Sequence, residues 1–203
     1  MRRLEWLMLG WALSGAVWAA ELRGVVEWHR QPVGEAVVYL DVVVTQAMAS
    51  AGPVVVDFHR GQPQPRVSVA MCGAELLLQN SDATLRIARV EAFDRERNAT
   101  VLARLAMPYA GFEKRLRLPP CSAPTLVRVV GENGGEQQRA FVAVLPHRWA
   151  AVTGGDGTFV LEDVPRGRWR LCVWQEQLGT HVEPVTISGS RSVTIRWPVA
   201  AKP

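Results

Sequence analysis

Apolar and polar residues alternate in short runs along most of the chain, and many apolar positions carry β-branched side chains. A period of two residues is typical of strands with one buried face. Gly and Pro separate the runs, as at Gly61–Pro65 and Gly154–Gly157, and favour turns there. The pattern predicts antiparallel β-sandwiches rather than a parallel sheet. The predicted strands are Leu22–Trp28, Ala36–Val44, Arg66–Ala70, Glu75–Asn80, Leu85–Ala92, Phe112–Leu118, Leu126–Val130, Arg139–Leu145, Thr158–Leu161, Arg168–Trp174, Val182–Ile187 and Ser192–Trp197, while Ala99–Met107 fits either a helix or a strand.

The composition is that of a globular protein: 203 residues, of which 48% are hydrophobic and 21% charged. These values exclude a disordered chain, a coiled coil and a collagen-like repeat. The formal net charge is +4, and nearly all basic residues are Arg. In the sequence these arginines are scattered along the predicted strands rather than clustered. Because nucleic-acid binding requires a clustered basic face, we expect no nucleic-acid partner.

The N-terminus has the features of a secretory signal. Arg2 and Arg3 precede an apolar stretch from Leu4 to Val17, and small residues follow it. We therefore expect residues 1–20 to be a signal peptide, with a mature chain that begins near Ala20 or Glu21. The alternative is an uncleaved anchor, but the stretch is short for a span of about 20 residues. No cysteine follows it to carry a lipid, so the mature protein is expected in the periplasm or secreted, without a transmembrane segment.

The chain contains three cysteines, Cys72, Cys121 and Cys172. An oxidising compartment favours disulfide formation. Because the number is odd, at most one intramolecular bridge forms and one thiol remains.

The segment from Ala151 to Trp174, AVTGGDGTFVLEDVPRGRWRLCVW, carries a turn-and-strand motif. It resembles the carboxypeptidase regulatory-like domain, a small transthyretin-like (prealbumin-like) β-sandwich, and Trp169 stands where that family usually has Tyr. The opening segment Gly24–Asp41 resembles the first strands of the same domain. The residues that match the family motif are Asp156, Gly157, Phe159, Leu161, Pro165, Gly167, Leu171 and Trp174.

The middle of the chain resembles a cupredoxin, because the strands and the Asn-x-Asp turn from Val67 to Asp82 match the hairpin before the first copper ligand of that family. As a whole the chain is similar to exported bacterial proteins of the methylamine-utilisation or plastocyanin-like kind. The resemblance implies an all-β fold of two β-sandwiches. A cupredoxin-like Greek-key domain (residues 51–145) is inserted into a carboxypeptidase regulatory-like sandwich (residues 21–50 and 146–203).

The same resemblance identifies four positions where a copper-binding cupredoxin has its ligands. They hold Leu85 for the first His, Gly131 for Cys, Gly135 for the second His and Gln138 for Met. None of these side chains is an imidazole or thiolate, the donors on which a blue-copper centre depends. Gln175 also stands where family relatives often have a His after the last motif. The resemblance therefore implies a cupredoxin scaffold without its metal, and we expect no cofactor.

The cupredoxin resemblance also implies a disulfide between Cys72 and Cys121, because the strands near them would both start at the end opposite the copper loops. In the chain-entropy model such a bridge stabilises by roughly 3–4 kcal/mol. The alternative is two separately buried thiols. Cys172, which lies opposite the Leu171/Val173 face, would be the free thiol.

These observations favour a non-catalytic, exported binding or accessory protein of the cell envelope, whose partner is another envelope protein. No phosphate loop, dinucleotide fingerprint or nucleophile elbow supports an enzyme. One alternative is a copper-binding electron-transfer protein that uses His59 or His147 with Cys172, although no histidines have metal-ligand spacing. A second alternative is a carbohydrate-binding module that stacks glycans on exposed-looking tryptophans. The four histidines of the chain are His29, His59, His147 and His181. The tryptophans that look exposed are Trp28, Trp149 and Trp197.

Overall fold

The computed structural model describes residues 20–44, 52–93, 98–132 and 138–198. In these ranges the chain forms strands and turns without a helix, so the all-β prediction is confirmed and no described segment is a membrane-spanning helix. Apart from Ala20, the expected signal peptide lies outside the described residues. The strands are β1 (Ala20–Trp28), β2 (Gln31–Pro32), β3 (Val37–Leu40), β4 (Val54–His59), β5 (Gln62–Gln64), β6 (Val67–Met71), β7 (Glu75–Asn80), β8 (Arg86–Phe93), β9 (Ala99–Met107), β10 (Phe112–Arg117), β11 (Thr125–Gly131), β12 (Arg139–Leu145), β13 (Ala150–Val152), β14 (Thr158–Val164), β15 (Gly167–Gln175), β16 (Gly179–Ile187) and β17 (Arg191–Arg196).

The structure differs from the predicted strands in several respects. Three strands were not predicted, namely Gln31–Pro32, Val54–His59 and Ala150–Val152, and the predicted turn Gly61–Pro65 contains the short strand β5. The predicted strand Ala36–Val44 is shorter, at Val37–Leu40. The ambiguous segment Ala99–Met107 is a strand, because it pairs along its whole length with β8 and these cross-strand contacts override its helix propensity. Finally, some pairs are parallel rather than antiparallel: β1 with β17, β4 with β7 and β6 with β12.

Two sheets built from both ends of the described chain pack on each other, and we call them the terminal sandwich. One sheet has the order β14-β1-β17, with β2 paired to β1, and the other has the order β13-β3-β15-β16. Alternate apolar residues of each strand meet between the sheets, as the period-two pattern requires. The fully buried members of this core include Leu22, Val26, Leu40, Leu161 and Ile195.

Two further sheets, built from β4 to β12, form the middle sandwich. Their strand orders are β10-β7-β4-β5 and β6-β12-β11-β8-β9. The chain leaves the terminal sandwich after β3 and returns to it at β13, so the middle sandwich interrupts the terminal one in sequence. Its core includes Phe58, Leu76, Leu78, Val127 and Val142.

Strand β12 is buried on both faces. Ala140, Val142 and Val144 point into the middle core. Phe141 and Ala143 point the other way, towards the terminal sandwich, and the unbroken apolar run of β12 reflects this double burial. The ring of Phe141 packs edge-on against Trp174 of β15, with centroids 5.2 Å apart. The apolar contact between the sandwiches is formed by Val37, Val67 and Ala143, with Tyr39, Val69, Val152 and Trp174 packed around them.

A group of ion pairs joins the two sandwiches beside this contact. The carboxylate of Glu176, which follows β15, lies 2.5 Å from Nη2 of Arg66 and 3.0 Å from Nε of Arg139. The Glu176 side chain is only 19% exposed. One partly buried carboxylate therefore balances two guanidinium groups that belong to the middle sandwich.

The expected disulfide between Cys72 and Cys121 is confirmed, with Cα atoms 5.4 Å apart. Cys72 N donates a hydrogen bond of 2.9 Å to the carbonyl oxygen of Leu145, so the bridge lies at the C-terminal end of β12. Cys172 is a buried free thiol, as expected.

Replacing Glu176 by Gln removes the charge that joins Arg66 and Arg139. We expect the free energy of unfolding to fall by about 1–3 kcal/mol, because a neutral amide forms weaker contacts with the two guanidinium groups than the partly buried carboxylate does. Urea denaturation measures the change. The control is Glu75→Gln, which breaks one exposed pair with Arg115 and should cost no more than about 0.5 kcal/mol. Equal losses in both variants would contradict a special role for Glu176.

Candidate functional site

The described positions that the cupredoxin resemblance assigns to copper ligands lie at one end of the middle sandwich. Leu85 directly precedes β8, Gly131 ends β11 and Gln138 precedes β12. The amide of Gly131 donates a 2.8 Å hydrogen bond to the carbonyl oxygen of Gln138. Gly135 lies outside the described residues.

Asn80 fixes the turn that leads into this end of the sandwich. Its side chain is fully buried, and Nδ2 donates hydrogen bonds to the carbonyl oxygens of Thr84 at 3.0 Å and Met107 at 2.9 Å. Its Oδ1 accepts from the amide of Asp82 at 3.0 Å. The Asn-x-Asp turn identified in the sequence is therefore held by backbone contacts that involve no metal.

Asp82 ties three segments together at the same turn. Its carboxylate accepts hydrogen bonds from the amides of Arg60 at 2.7 Å and Gly61 at 2.8 Å, and from Nε of Arg86 at 3.0 Å. Burial alone would raise the pKa of Asp82, but the amides of Gly61 and Arg60 and the Arg86 guanidinium outweigh it and lower that pKa. The carboxylate is thus charged at neutral pH and acts as an anchor.

The residues at this end do not fit a copper ion. A Cβ atom on Gly131 would lie 2.5 Å from Oε1 of Gln138 and 3.1 Å from the ring of Phe58, so existing side chains fill the space beside this position. Leu85 is 49% exposed and has no donor atom. The Arg86 guanidinium, a cation, also lies at this end, where it pairs with Asp82. Because Cu sites of this class need imidazole nitrogens and a thiolate, the residues present cannot supply such a centre.

The histidines considered as alternative ligands are dispersed. His29 and His59 are exposed, and His181 lies 3.0 Å from Glu183. His147 is 1% exposed, which sequence reasoning did not anticipate, and its Nδ1 has no hydrogen-bond partner. Throughout the described ranges, no three His, Cys, Asp or Glu residues lie close enough to hold a metal.

Cys172, the thiol considered with these histidines, lies on the face of β15 that contains Trp174. It pairs across the sheet with Tyr39. Burial, followed by the charge of Asp41, raises the pKa of the Cys172 thiol. Burial likewise lowers the pKa of His147, against a hydrogen bond to the Leu40 backbone. Both groups are therefore neutral at physiological pH.

The tryptophans considered as a glycan platform have different environments. Trp28 is 41% exposed, and Trp149 is half-buried with Nε1 donating a 2.8 Å hydrogen bond to the carbonyl oxygen of Asp163. Trp197 looks exposed from the sequence pattern but is buried in the terminal core. Of these three, only Trp28 presents an accessible ring.

The motif residues of the C-terminal segment mainly build the terminal sandwich. Phe159, Leu161 and Leu171 are buried in its core. Gly157 has φ of +75°, and a Cβ there would lie 2.6 Å from the Val26 carbonyl oxygen, so the turn requires glycine. The other motif residues have local or interface contacts: Asp156 accepts hydrogen bonds from Thr158, Pro165 accepts one from Trp169, Gly167 has φ of +145°, and Trp174 packs on Phe141.

A groove lies between the two sandwiches, beside these motifs. Its apolar part is a cavity of about 610 Å³. The five-stranded sheet forms one wall and the turn between β15 and β16 forms the other. The residues that line it include Tyr39, Phe93, Leu126, Phe141, Trp174 and Leu178, with Arg128, Arg139 and Glu176 among the charged ones.

A second cavity, of about 620 Å³, adjoins the first and shares Arg128 and Arg139 with it. Its lining also contains Arg89, Arg104 and Glu132. The expectation that the arginines are dispersed is therefore wrong at this place, because the sheet aligns residues that are distant in sequence. Arg104 pairs with Arg89, Arg89 with Val130, and Val130 with Arg139 across four neighbouring strands.

Carboxylates accompany these arginines. Glu91, which is 5% exposed, contacts Arg128 at 2.6 Å and Arg89 at 3.1 Å. Glu132 binds the guanidinium of Arg104, and this pair lowers the pKa of Glu132 through its hydrogen bond. We call the two adjoining cavities the interface groove. Its side chains can bind an anion and an apolar group at once.

No protein-family model and no curated protein matches this chain. Solved structures that are similar in part are cupredoxins. A reduced Cu(I) form of an amicyanin mutant has 15% identity and a TM-score of 0.35, and the match covers 53% of this chain and 97% of amicyanin. A purple cupredoxin from Nitrosopumilus maritimus has 11% identity and a TM-score of 0.32, covering 45% and 98% of the two chains.

A copper-containing nitrite reductase from Thermus scotoductus SA-01 has 15% identity and a TM-score of 0.35. That match covers 60% of this chain but only 28% of the reductase. Identities and TM-scores at this level assign neither an activity nor a copper site to this chain.

The contacts of Asp82 predict how the free energy of unfolding depends on pH. At pH 7 we expect Asp82→Asn to lower the free energy of unfolding by about 2 kcal/mol, because charge-assisted hydrogen bonds are lost. The folded-state pKa lies below the ordinary value of 3.8, so this contribution is complete above that value and disappears as pH falls through the lowered pKa.

Urea denaturation of both proteins between neutral and strongly acidic pH measures the effect. The difference between their free energies of unfolding should narrow only when the pH falls below the ordinary pKa range of a carboxylate. Glu113→Gln, which alters an exposed carboxylate on β10, is the control and should change little at either pH. If the loss of stability in Asp82→Asn stayed constant with pH, the charged carboxylate of Asp82 would not be the group that stabilises this turn.

Proposed function

We propose that this protein is a non-catalytic binding or accessory module of the cell envelope. In this proposal a copperless cupredoxin-like sandwich is inserted into a carboxypeptidase regulatory-like sandwich. The observation that carries it is the packing at Gly131 and Gln138, where a glycine and an amide side chain occupy positions that the resemblance assigns to copper ligands. A site without imidazole and thiolate ligands cannot perform the electron transfer of a blue-copper protein.

The rest of the scaffold supports a role in binding. The Asn80 and Asp82 contacts hold the same turn without a metal, and the Cys72–Cys121 bridge closes the opposite end of the middle sandwich. Function depends on the particular groups that a fold carries. A sandwich without a copper site can therefore still bind a partner through its surface. The interface groove is the surface with the most varied chemistry.

An envelope location is supported by two features. The basic and apolar N-terminal pattern is typical of a secretory signal. The disulfide is of a kind that persists in oxidising compartments such as the periplasm. The proposed partner is accordingly another protein of the envelope.

Metal analysis tests the copperless part of the proposal. We expect periplasmically expressed protein to contain much less than one copper per chain and to develop no strong visible band when copper is added, because no three His, Cys, Asp or Glu residues of the described ranges lie close enough to hold a metal. The Cys172→Ala variant is the control for adventitious thiol binding. One copper per chain with a strong band that Cys172→Ala abolishes would overturn the proposal in favour of electron transfer.

Site-specific photo-crosslinking in the periplasm tests the partner. A crosslinking amino acid is placed at Gln177, an exposed residue of the interface groove, and at Lys114, an exposed residue on the opposite sheet. We expect one defined envelope protein to be captured from position 177 and not from position 114, because specific partners bind at one surface patch. The same products from both positions, or none, would contradict a protein partner at the groove.

A further inference from the structure

The outer face of the five-stranded sheet changes from charged to apolar along its strands. Side chains on one face of a sheet recur every second residue, so each step moves about 6.6 Å along the strand. The first row across the sheet contains arginines, the second is mixed and the third is apolar. The rows are Arg104, Arg89, Val130 and Arg139; Val101, Glu91, Arg128 and Phe141; and Ala99, Phe93, Leu126 and Ala143.

The charged end of this gradient has more hydrogen-bond donors than acceptors. Among the described residues, four arginines line the second cavity together with one carboxylate, that of Glu132. The carboxylates of Glu91 and Glu132 pair with Arg89, Arg104 and Arg128, which gives three positive and two negative charges among these residues. A guanidinium has about five N–H donors and a carboxylate accepts about four hydrogen bonds, so donors remain in excess. The Nε of Arg89 is buried without a hydrogen bond, although it lies 3.1 Å from Glu91.

The apolar end is a concave cleft rather than an open sheet face. Trp174 and Leu178 of the terminal sandwich line it together with Phe93 and Leu126 of the sheet. The guanidinium of Arg128 stacks on the Phe93 ring at 4.7 Å, where the cationic and apolar parts meet. Both cavities, about 610 and 620 Å³, are in the range of small-molecule sites.

We infer that the interface groove binds a single-chain amphiphile with an anionic head group. The head group lies against the guanidinium groups of Arg89, Arg104 and Arg139, which offer forked donors to carboxylate or phosphate oxygens. The chain extends along the sheet by the roughly 13 Å that separates the first and third rows, between Leu126 and Trp174. This inference rests on the proposed binding function and names the ligand class of that surface.

Charge complementarity favours an anionic amphiphile over a cationic one. A cationic amphiphile would place its head among like charges, which is unfavourable where the groups are partly desolvated. A short carboxylate would keep the head-group contacts but bury little apolar surface, and each buried CH₂ group contributes about 0.8 kcal/mol. Binding should therefore depend on the sign of the head group and on the length of the chain.

Isothermal titration calorimetry with dodecanoate, below its micelle-forming concentration, tests the inference. We expect one saturable site per chain. Dodecyltrimethylammonium, with the same chain and the opposite charge, should bind at least about tenfold more weakly, and so should hexanoate. Dodecyl phosphate distinguishes the sources of the head group: tighter binding than dodecanoate indicates a phosphate monoester, and weaker binding indicates a carboxylate.

A matched pair of variants locates the site. Arg104→Gln removes one cation of the groove, and Arg115→Gln removes a cation from the opposite sheet. Both side chains are more than half exposed, at 66% and 61%, and each pairs with one glutamate, so both variants should fold. We expect dodecanoate affinity to fall about five- to tenfold in Arg104→Gln and to stay within about twofold in Arg115→Gln.

Two results would overturn the inference. One is equal binding of dodecanoate and dodecyltrimethylammonium, or binding without saturation, which indicates non-specific detergent adsorption. The other is the same affinity in Arg104→Gln as in the unmodified protein. Neither result bears on copper, whereas a copper band would overturn the proposed function whatever the amphiphile experiment shows.

Discussion

The double burial of β12 is the constraint on which the arrangement of this protein depends. Alternate residues of this strand fill the middle core, while Phe141 and Ala143 pack against the terminal sandwich. Burying a large apolar side chain contributes about 1.5–3 kcal/mol, so a strand with two apolar faces stabilises both its own sandwich and the contact between them. Because only part of the sheet's outer face is covered in this way, the remainder is left as one wall of the interface groove.

Ion pairs join the two sandwiches in addition to the apolar contact. Glu176 reaches from the terminal sandwich to two arginines of the middle sandwich, and Glu91 lies almost buried between Arg89 and Arg128. Buried carboxylates require such partners, because an unpaired charge in a protein interior is costly. The same pairs keep several guanidinium groups at the groove without strong mutual repulsion. A groove with apolar and cationic parts is therefore a consequence of how the two sandwiches meet.

The middle sandwich is stabilised at both ends by contacts that need no metal. At one end Asp82 accepts hydrogen bonds from two backbone amides and Arg86. At the other end, about 20 Å away along the seven residues of β12, the disulfide joins the segments before β7 and β11. Gln138 and Gly131 then pack directly against each other, where the resemblance expects ligands. The turn and the fold thus remain although Leu85, Gly131 and Gln138 offer neither an imidazole nor a thiolate.

Most strands, the free and bridged cysteines and the glycine turn at Gly157 could be predicted from the amino-acid sequence, because each depends on a local pattern or on a resemblance carried by particular residues. The sequence also identified Leu85, Gly131 and Gln138 as residues without an imidazole or thiolate group. The parallel pairs, the burial of His147 and the row of Arg104, Arg89 and Arg139 became apparent only in the folded chain. The physical reason is that strand register and sheet order arise from contacts between distant segments. A period of two residues shows that a strand has faces, but not which strand lies beside it or what covers its outer side.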